Sequence, residues 1–397
     1  MTLTLLLDLD DTLLASNMDA FIPAYFMALS ESLKDYVPAE KMIKALMGGT
    51  RLMMAKKEPL LTLKHVFDDY FFPNIGTDRE SIQQQIDKFY DQVFPSLCHL
   101  TSPIPDAVEL VETAFEKGYR VVIATNPLFP AKAINHRLRW AGLPLEEYPF
   151  EIVTSYEKFH FTKENISYFP EILGKLGWPD EPVLMVGNDL AMDIDPAKSA
   201  GLPVYWVNGV EPISPDDEEI PHGSLKNLRK MFDEPGSLTK KYSNETSSAI
   251  LACLRAMPAL LEDHLAARAD NQFSTERVKE TNSVKNMLNQ LIEIELEFTS
   301  TNFEKTKSFE NEFNSRQKVY DSHEIKGNSV DPIGTLELFT KFRMMNLGMI
   351  QKIINKQDET SASHGFENRS LFENSQLLIV HDQTVLKQIH RQFNRNN

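Results

Sequence analysis

The stretch LTLLLDLDDTLL, residues 3–14, decides how the first half of the chain folds. An apolar run drives straight into Asp8, Asp10 and Asp11, three carboxylates within four positions. Strand interiors are depleted in Asp, and crowded like charges repel, so the clustering needs a cause. Either the strand ends in a solvated acidic turn, or a cation and a phosphoryl group gather there. The choice depends on the rest of the chain.

Four more apolar runs follow: YRVVIATN (119–126), FEIVTS (150–155), VLMVGND (183–189) and PVYWVN (203–208). Each lacks polar alternation, as strands buried on both faces of a parallel sheet do. They alternate with helical stretches, so the class is α/β with a doubly wound parallel sheet. Ligands of such sheets bind at the carboxyl ends of the strands. There the sequence places Asp8 and Asp10, Thr125 and Asn126, and Asn188 and Asp189. Between residues 15 and about 100 the alternation stops, and four segments carry apolar residues at helical spacing. They form a helical insertion directly after the first strand, expected over the sheet's C-terminal edge.

The chain of 397 residues suggests more than one domain. Twenty of its 22 prolines precede residue 241, and so does most of its net charge of −16. EPISPDDEEIPHGS (211–224) is an acidic Pro-rich loop and DEPGSLTKKYSNETS (233–247) reads as a linker. The expected domains are therefore 1–240 and 245–397. The acidic balance argues against a nucleic-acid partner, which needs a basic footprint. The first apolar run is too short for a secretory signal, and no window reaches membrane-span length. Cys98 and Cys253 lie far apart, with no CxxC. A soluble cytoplasmic protein without a membrane or nucleic-acid partner is the expectation.

LLLDLDDTLL, VVIATN, Lys163 within HFTKENISYF, and VGNDLAMD stand in the order and spacing of the haloacid dehalogenase-like (HAD) hydrolases. The first 235 or so residues resemble that family, and the insertion resembles its C1-type helical cap. The resemblance implies that Asp8 is a nucleophile forming an aspartyl-phosphate, and that Asp10 is the general acid and then base. It implies that Thr125, Asn126 and Lys163 bind the phosphoryl group. Asp8, Asp10 (through its backbone carbonyl) and Asp189 would hold Mg2+, and Asp193 would orient the site. An acid at the second motif position favours phosphate-ester hydrolysis. Lys158 is the rival to Lys163, and Glu164 stands where the family often has proline.

Other residues read more plainly. Asp11 is a turn residue that accepts backbone N–H groups, and Asp195 a helix cap before Pro196. Met42, Met47, Met53 and Met54 belong to a core or a pliable pocket wall. Gly48–Gly49 reads as a turn, the alternative being a specificity loop with Arg51.

Beyond residue 245 four amphipathic stretches with almost no proline predict an all-α four-helix bundle. NSVKNMLNQLIEIE and HDQTVLKQI resemble the DinB-like bundle family, whose three metal-binding histidines map here to Gln290, His381 and Val385. Two of the three ligands are thus replaced, and His390 falls on the opposite helical face from His381. The bundle is expected without metal, with His381 a hydrogen-bonded core remnant and Gln290 its candidate partner. Glu295 fits the family pattern without an assigned role.

For the whole chain the leading expectation is an Mg2+-dependent phosphatase acting on a small phosphorylated metabolite. The bundle would be an interaction or regulatory module and a candidate surface for homo-oligomer formation. The alternative is a binding or sensing protein in which the bundle works and the α/β half is vestigial. A third reading keeps the catalytic half and transfers the phosphoryl group to a second metabolite.

Overall fold

The computed structural model describes residues 2–209, 220–233, 238, 242–243, 245–269, 275–303, 332–360 and 369–394. Residues 211–219 of the acidic loop, and most of the 233–247 linker, lie outside these. The chain divides into two units, Met1–Phe169 with Pro179–Ser243, and Pro170–Trp178 with Asn244–Asn397.

In the first unit the opening apolar run forms β1 (Thr4–Leu7). After a short β2 (Leu14–Ser16) the chain enters helices α1 (Met18–Ser32), α2 (Ala39–Ala55), α3 (Leu63–Ile75) and α4 (Arg79–Lys88). It returns through β3 (Thr101–Pro103), α5 (Ala107–Glu116), β4 (Arg120–Ile123), α6 (Ala131–Trp140), β5 (Ile152–Val153) and the start of α7 (Tyr168–Lys175), whose residues from Pro170 on belong to the second unit. β6 (Val183–Gly187), α8 (Asp195–Ser199), β7 (Val204–Val207), β8 (His222–Gly223) and α9 (Leu225–Met231) complete the unit. Six strands form one parallel sheet in the order β5-β4-β1-β6-β7-β8.

β1 lies at the centre, with Leu7 opposite both Ile123 and Val186. Leu5, Leu6 and Leu7 are wholly buried, one face to each layer of helices, so the run has no polar alternation. The chain leaves β1 for β4 on one side and later returns to β6 on the other. That switch opens a crevice at the carboxyl ends of β1, β4 and β6. The acidic strand end of β1 is therefore at the place where a doubly wound sheet binds.

The helical insertion starts and ends on a small antiparallel pair that the sequence did not reveal, Ser16 opposite Thr101 and Leu14 opposite Pro103. Its four helices share a separate core built on Phe21, Leu29, Met42, Phe71 and Phe94. Gly48 and Gly49 do not form a turn: both sit inside α2. A Cβ on Gly49 would come within 2.7 Å of the Phe67 ring, and one on Gly48 within 2.5 Å of the Tyr70 hydroxyl. The pair lets the aromatic face of α3 lie directly on the α2 backbone. Gly49→Leu is expected to lower stability by about 1–3 kcal/mol through overpacking, read as a fall in the melting temperature.

The second unit contains the four helices expected from periodicity: α10 (Ser247–Ala269), α11 (Thr275–Phe303), α12 (Pro332–Thr360) and α13 (Arg369–Asn394). α10 and α11 each pack against both α12 and α13. No helix among the described residues is long and apolar enough to cross a membrane.

Candidate functional site

Asp8 follows the last ladder residue of β1, and its N–H still donates to the Val186 carbonyl at 2.9 Å. The backbone is thus fixed up to the carboxylate, which is only 5% exposed. The chain then turns: Leu13 and Leu14 N–H groups both return to the Leu9 carbonyl at 2.9 Å. Asp11 takes the left-handed conformation there, with φ 56°, and accepts the Ser16 N–H at 2.8 Å. It is the turn residue its position suggested.

Lys163 lies in the turn before α7 and is 1% exposed. Its Nζ donates to Asp8 Oδ1 and to Asp193 Oδ1, each at 2.6 Å. Burial alone would push the ammonium down, but Asp193 and Asp8 outweigh it and hold Lys163 well above its ordinary value. Burial, and then the Asp8 charge, raise Asp193 to about 6 against the pull of Lys163. Lys158 is exposed and takes no part in this cluster.

Asp193 reaches the cluster because β6 ends in Gly187. A Cβ at Gly187 would fall 2.3 Å from Asp193 Oδ2, so only glycine admits the carboxylate there. Asp193 Oδ2 also accepts the Asp189 N–H at 3.1 Å. Asp189 itself is exposed and caps the π turn Leu190–Ile194, accepting the N–H groups of Ala191 and Met192 at 2.8 and 3.1 Å. Asp195 does not cap: it is exposed within the first turn of α8, whose N-cap position is Ile194.

Thr125 is buried beyond β4, and its carbonyl is pinned by Thr154 Oγ1 at 2.7 Å and the Tyr168 hydroxyl at 2.8 Å. Asn126 accepts the Lys163 N–H through Oδ1 at 3.2 Å, tying the two segments together. Its Nδ2 donates to Glu164 at 3.4 Å, which gives the residue standing in place of proline a contact of its own.

Several participants were not singled out from the sequence. Arg137 of α6 is 1% exposed and pairs through Nη2 with Asp10 Oδ1. Ser16 Oγ donates to the same oxygen at 2.8 Å. The Arg137 guanidinium lies 5.3 Å from the ring centres of both Phe21 and Phe129, and burial lowers its pKa to about 10 despite Asp8. The signal was available, because Arg137 shares a helix face with buried Ile134 and Leu138. A charged residue on a buried face needs a partner. Asn188 also acquires a role: its Oδ1 accepts from Thr12 Oγ1 at 3.1 Å, and its carbonyl from Trp206 Nε1 at 2.9 Å. It links the acidic turn to the end of β6.

The candidate cation ligands are all oxygens on neighbouring strand ends, a donor set that suits a hard divalent ion. Asp8 and Asp10 are each held by a side-chain cation, and Asp189 by the N–H groups of Ala191 and Met192. Positive charge is already arranged around the carboxylates, so the crowding at residues 8–11 is offset within the protein itself.

The DinB-type positions do not share one environment. Gln290 is exposed, His381 half-buried and Val385 buried. Gln290 is therefore no core partner for His381, whose Nδ1 has no hydrogen-bond partner among the described residues. His381 is not the hydrogen-bonded remnant expected. The side chain of His390 lies outside the described residues. The centre of the second unit is instead a network around the buried Arg343, which pairs with Glu295 and Asp382.

A family model for haloacid dehalogenase-like hydrolases matches residues 2–201. The glyceraldehyde 3-phosphate phosphatase of Methanothermobacter thermautotrophicus is 31% identical over 109 residues, 28% of this chain and 46% of that one. The chain thus spans about half the length of that relative. The pyrimidine 5'-nucleotidase PynA of Streptococcus pneumoniae is 28% identical over 218 residues, 51% of this chain and 83% of that one. Among solved structures, a 2-haloacid dehalogenase from Pseudomonas syringae pv. tomato is 19% identical, with a TM-score of 0.40 over 59% of this chain and all of that one. A family match over half the chain agrees with a parallel sheet whose central strand ends in a buried carboxylate, and the chain belongs to the haloacid dehalogenase-like hydrolases.

Proposed function

We propose that this chain is a phosphatase acting on a small phosphate monoester, with Mg2+ as its metal. The observation that carries the reading is the Lys163 ammonium held 2.6 Å from both Asp8 and Asp193 at the switch point of the sheet. A buried cation fixed beside a strand-end carboxylate is what in-line attack on an anionic phosphoryl group needs, since such transfer is chiefly positioning and charge stabilisation.

In this reading a carboxylate oxygen of Asp8 attacks phosphorus, and the bond from phosphorus to the ester oxygen breaks. Asp10 gives its proton to the departing alcohol. It then takes a proton from water, whose oxygen attacks the aspartyl-phosphate, releasing inorganic phosphate and restoring Asp8. Ser16 and Arg137 fix the Asp10 carboxylate for this exchange. The Thr125 hydroxyl and the Asn126 N–H receive phosphoryl oxygens, and Lys163 neutralises them. Asp8, the Asp10 carbonyl and Asp189 would hold Mg2+, which when bound supplies further charge to the phosphoryl oxygens. The same residues would serve transfer to a second metabolite, depending on how the insertion, taken as a C1-type cap, admits water.

By name one of the two relatives is a glyceraldehyde 3-phosphate phosphatase and the other a pyrimidine 5'-nucleotidase, which supports the substrate class. The vestigial alternative fares worse, because a lysine buried between two carboxylates is costly to keep without use. We take the second unit as a metal-free member of the DinB-like class and a candidate surface for self-association. Cys98 and Cys253 form no disulfide, which fits a cytoplasmic setting; no nucleic-acid or membrane partner is proposed.

Hydrolysis of p-nitrophenyl phosphate tests the function. Turnover is expected with Mg2+, with loss on chelation by EDTA and recovery when Mg2+ is restored. A folded protein silent on this ester and on a panel of phosphorylated metabolites would overturn the reading.

A further inference from the structure

The helical insertion encloses a cavity of about 620 Å3, walled by α1 to α4 and closed by Leu128–Pro130 and Tyr156–Glu157. Ligand sites of proteins span about 300–1,000 Å3 and are mainly apolar with a few placed polar groups. The wall is of that kind: Ile22, Tyr25, Phe26, Phe67 and Phe71 make up much of it. Close packing normally fills a helical core, and here the Gly49 contact holds the Phe67 ring back against α2.

The mouth has its own chemistry. Met47, Arg51 and Met54 lie on one face of α2, spaced by four and three residues. Met47 is 50% and Met54 38% exposed, giving the opening two pliable thioether edges. Four cations line the cavity. Lys64 and Arg79 pair with Asp68 at 2.7 and 3.1 Å, and Lys132 with Asp87 and Asp91 at 3.1 and 3.0 Å. Among the described residues Arg51 alone of the four has no carboxylate partner. Arg51 therefore stands at the mouth without a carboxylate on it, while Glu157, the lining carboxylate without a cation among the described residues, is turned to the Ala131 N–H at 3.1 Å.

None of Asp8, Asp10, Thr125, Asn126, Lys163, Asp189 or Asp193 lines this space. Phe129 does, and the same ring takes the guanidinium of Arg137, which pairs with Asp10. The cavity and the strand-end carboxylates thus meet on a shared aromatic and arginine layer rather than in one chamber.

We propose that the cavity is a second binding site, for a small apolar monoanion: an aromatic or acyl body within the chamber and one acidic group on Arg51. The inference stands apart from the phosphatase reading, because binding is measured without turnover.

The probe is 1-anilinonaphthalene-8-sulfonate, an aromatic body with a single sulfonate, titrated into the full chain. Saturable one-to-one binding with a rise in fluorescence is expected. Arg51→Glu and Met47→Glu, both at exposed mouth positions, are each expected to weaken it at least about tenfold. Lys57→Glu makes a charge change at an exposed residue outside the cavity and is expected to leave it unchanged, with equal melting temperatures throughout. Millimolar inorganic phosphate with Mg2+ is expected to leave the dye bound. Absent or non-saturable binding would overturn the proposal, as would equal weakening by Lys57→Glu. Displacement by phosphate would also overturn it, by making the cavity part of the phosphoryl site.

Discussion

Asp8→Asn is expected to fold normally and to lose turnover by at least about a thousandfold, the scale seen when a covalent nucleophile is removed. Asparagine keeps the size of aspartate and an oxygen able to accept from Lys163, so the 2.6 Å contact has a neutral substitute. The backbone bond from residue 8 to the Val186 carbonyl is untouched. What disappears is the anionic oxygen that attacks phosphorus in the proposed mechanism, and an amide is a poor replacement. Lys163 retains Asp193, also at 2.6 Å, so its charge stays compensated. A large loss of kcat with an unchanged melting temperature separates chemistry from folding. Lys163→Met would not separate them, because it leaves two nearly buried carboxylates without their cation.

The second large effect lies in the second unit. Arg343 of α12 is fully buried, and its guanidinium makes a fork with Asp382 of α13, at 2.6 and 3.0 Å. Nε donates to Glu295 of α11 at 2.5 Å, and Nη1 also donates to the Leu254 carbonyl of α10 at 3.0 Å. Asn346 donates to Glu295 Oε2 at 2.6 Å and accepts from Thr299 at 2.8 Å. One arginine thus ties all four helices together. Burial would lower its pKa, yet Asp382 and Glu295 outweigh that and hold it above the ordinary value. Burial raises Glu295 although Arg343 opposes it.

Arg343→Met removes the cation that compensates the two buried carboxylates Glu295 and Asp382, and about 3–5 kcal/mol of stability is expected to go with it. Urea unfolding followed by helical circular dichroism would read this as a shift of the α10–α13 transition. Replacing Arg343, Glu295 and Asp382 together by Met, Gln and Leu is expected to recover much of the loss, since no unpaired charge remains. A single replacement that costs nothing would mean that water reaches the network.

The contrast shows what the sequence could disclose. β1, β4, β5, β6 and β7 were legible as short apolar runs, because strands buried on both faces carry a continuous signal. The eight helices of the insertion and second unit were legible from period alone. The pair β2 and β3 was not, since Leu14–Ser16 gains strand character only from Thr101–Pro103, far along the chain. β8 is two residues at the end of an acidic loop and has no period to read. Gly48–Gly49 resembled punctuation because glycine breaks helices in isolation; here the α3 rings packed on α2 outweigh that preference.

The site follows the same rule. Asp8, Thr125, Lys163 and Asp193 stood out because motif order selects them, and the structure brings Asp8, Lys163 and Asp193 into direct contact. Arg137 and Asn188 act through Asp10 and Thr12, far along the chain, and Ser16 reaches Asp10 only because the chain turns between them, which spacing does not encode. In the second unit Glu295 matched a family pattern while Arg343 and Asp382, which give it meaning, matched none.

The most direct measurement is to trap the covalent enzyme. The full chain with Mg2+ is mixed with excess p-nitrophenyl phosphate, quenched in acid within a turnover and reduced with borohydride. An aspartyl-phosphate is converted by this treatment to homoserine, which peptide mass mapping locates. Homoserine at position 8, and not at 10, 189 or 193, is the expected result. Sustained hydrolysis with Asp8 recovered intact at every quench time would contradict the assignment of Asp8 as nucleophile.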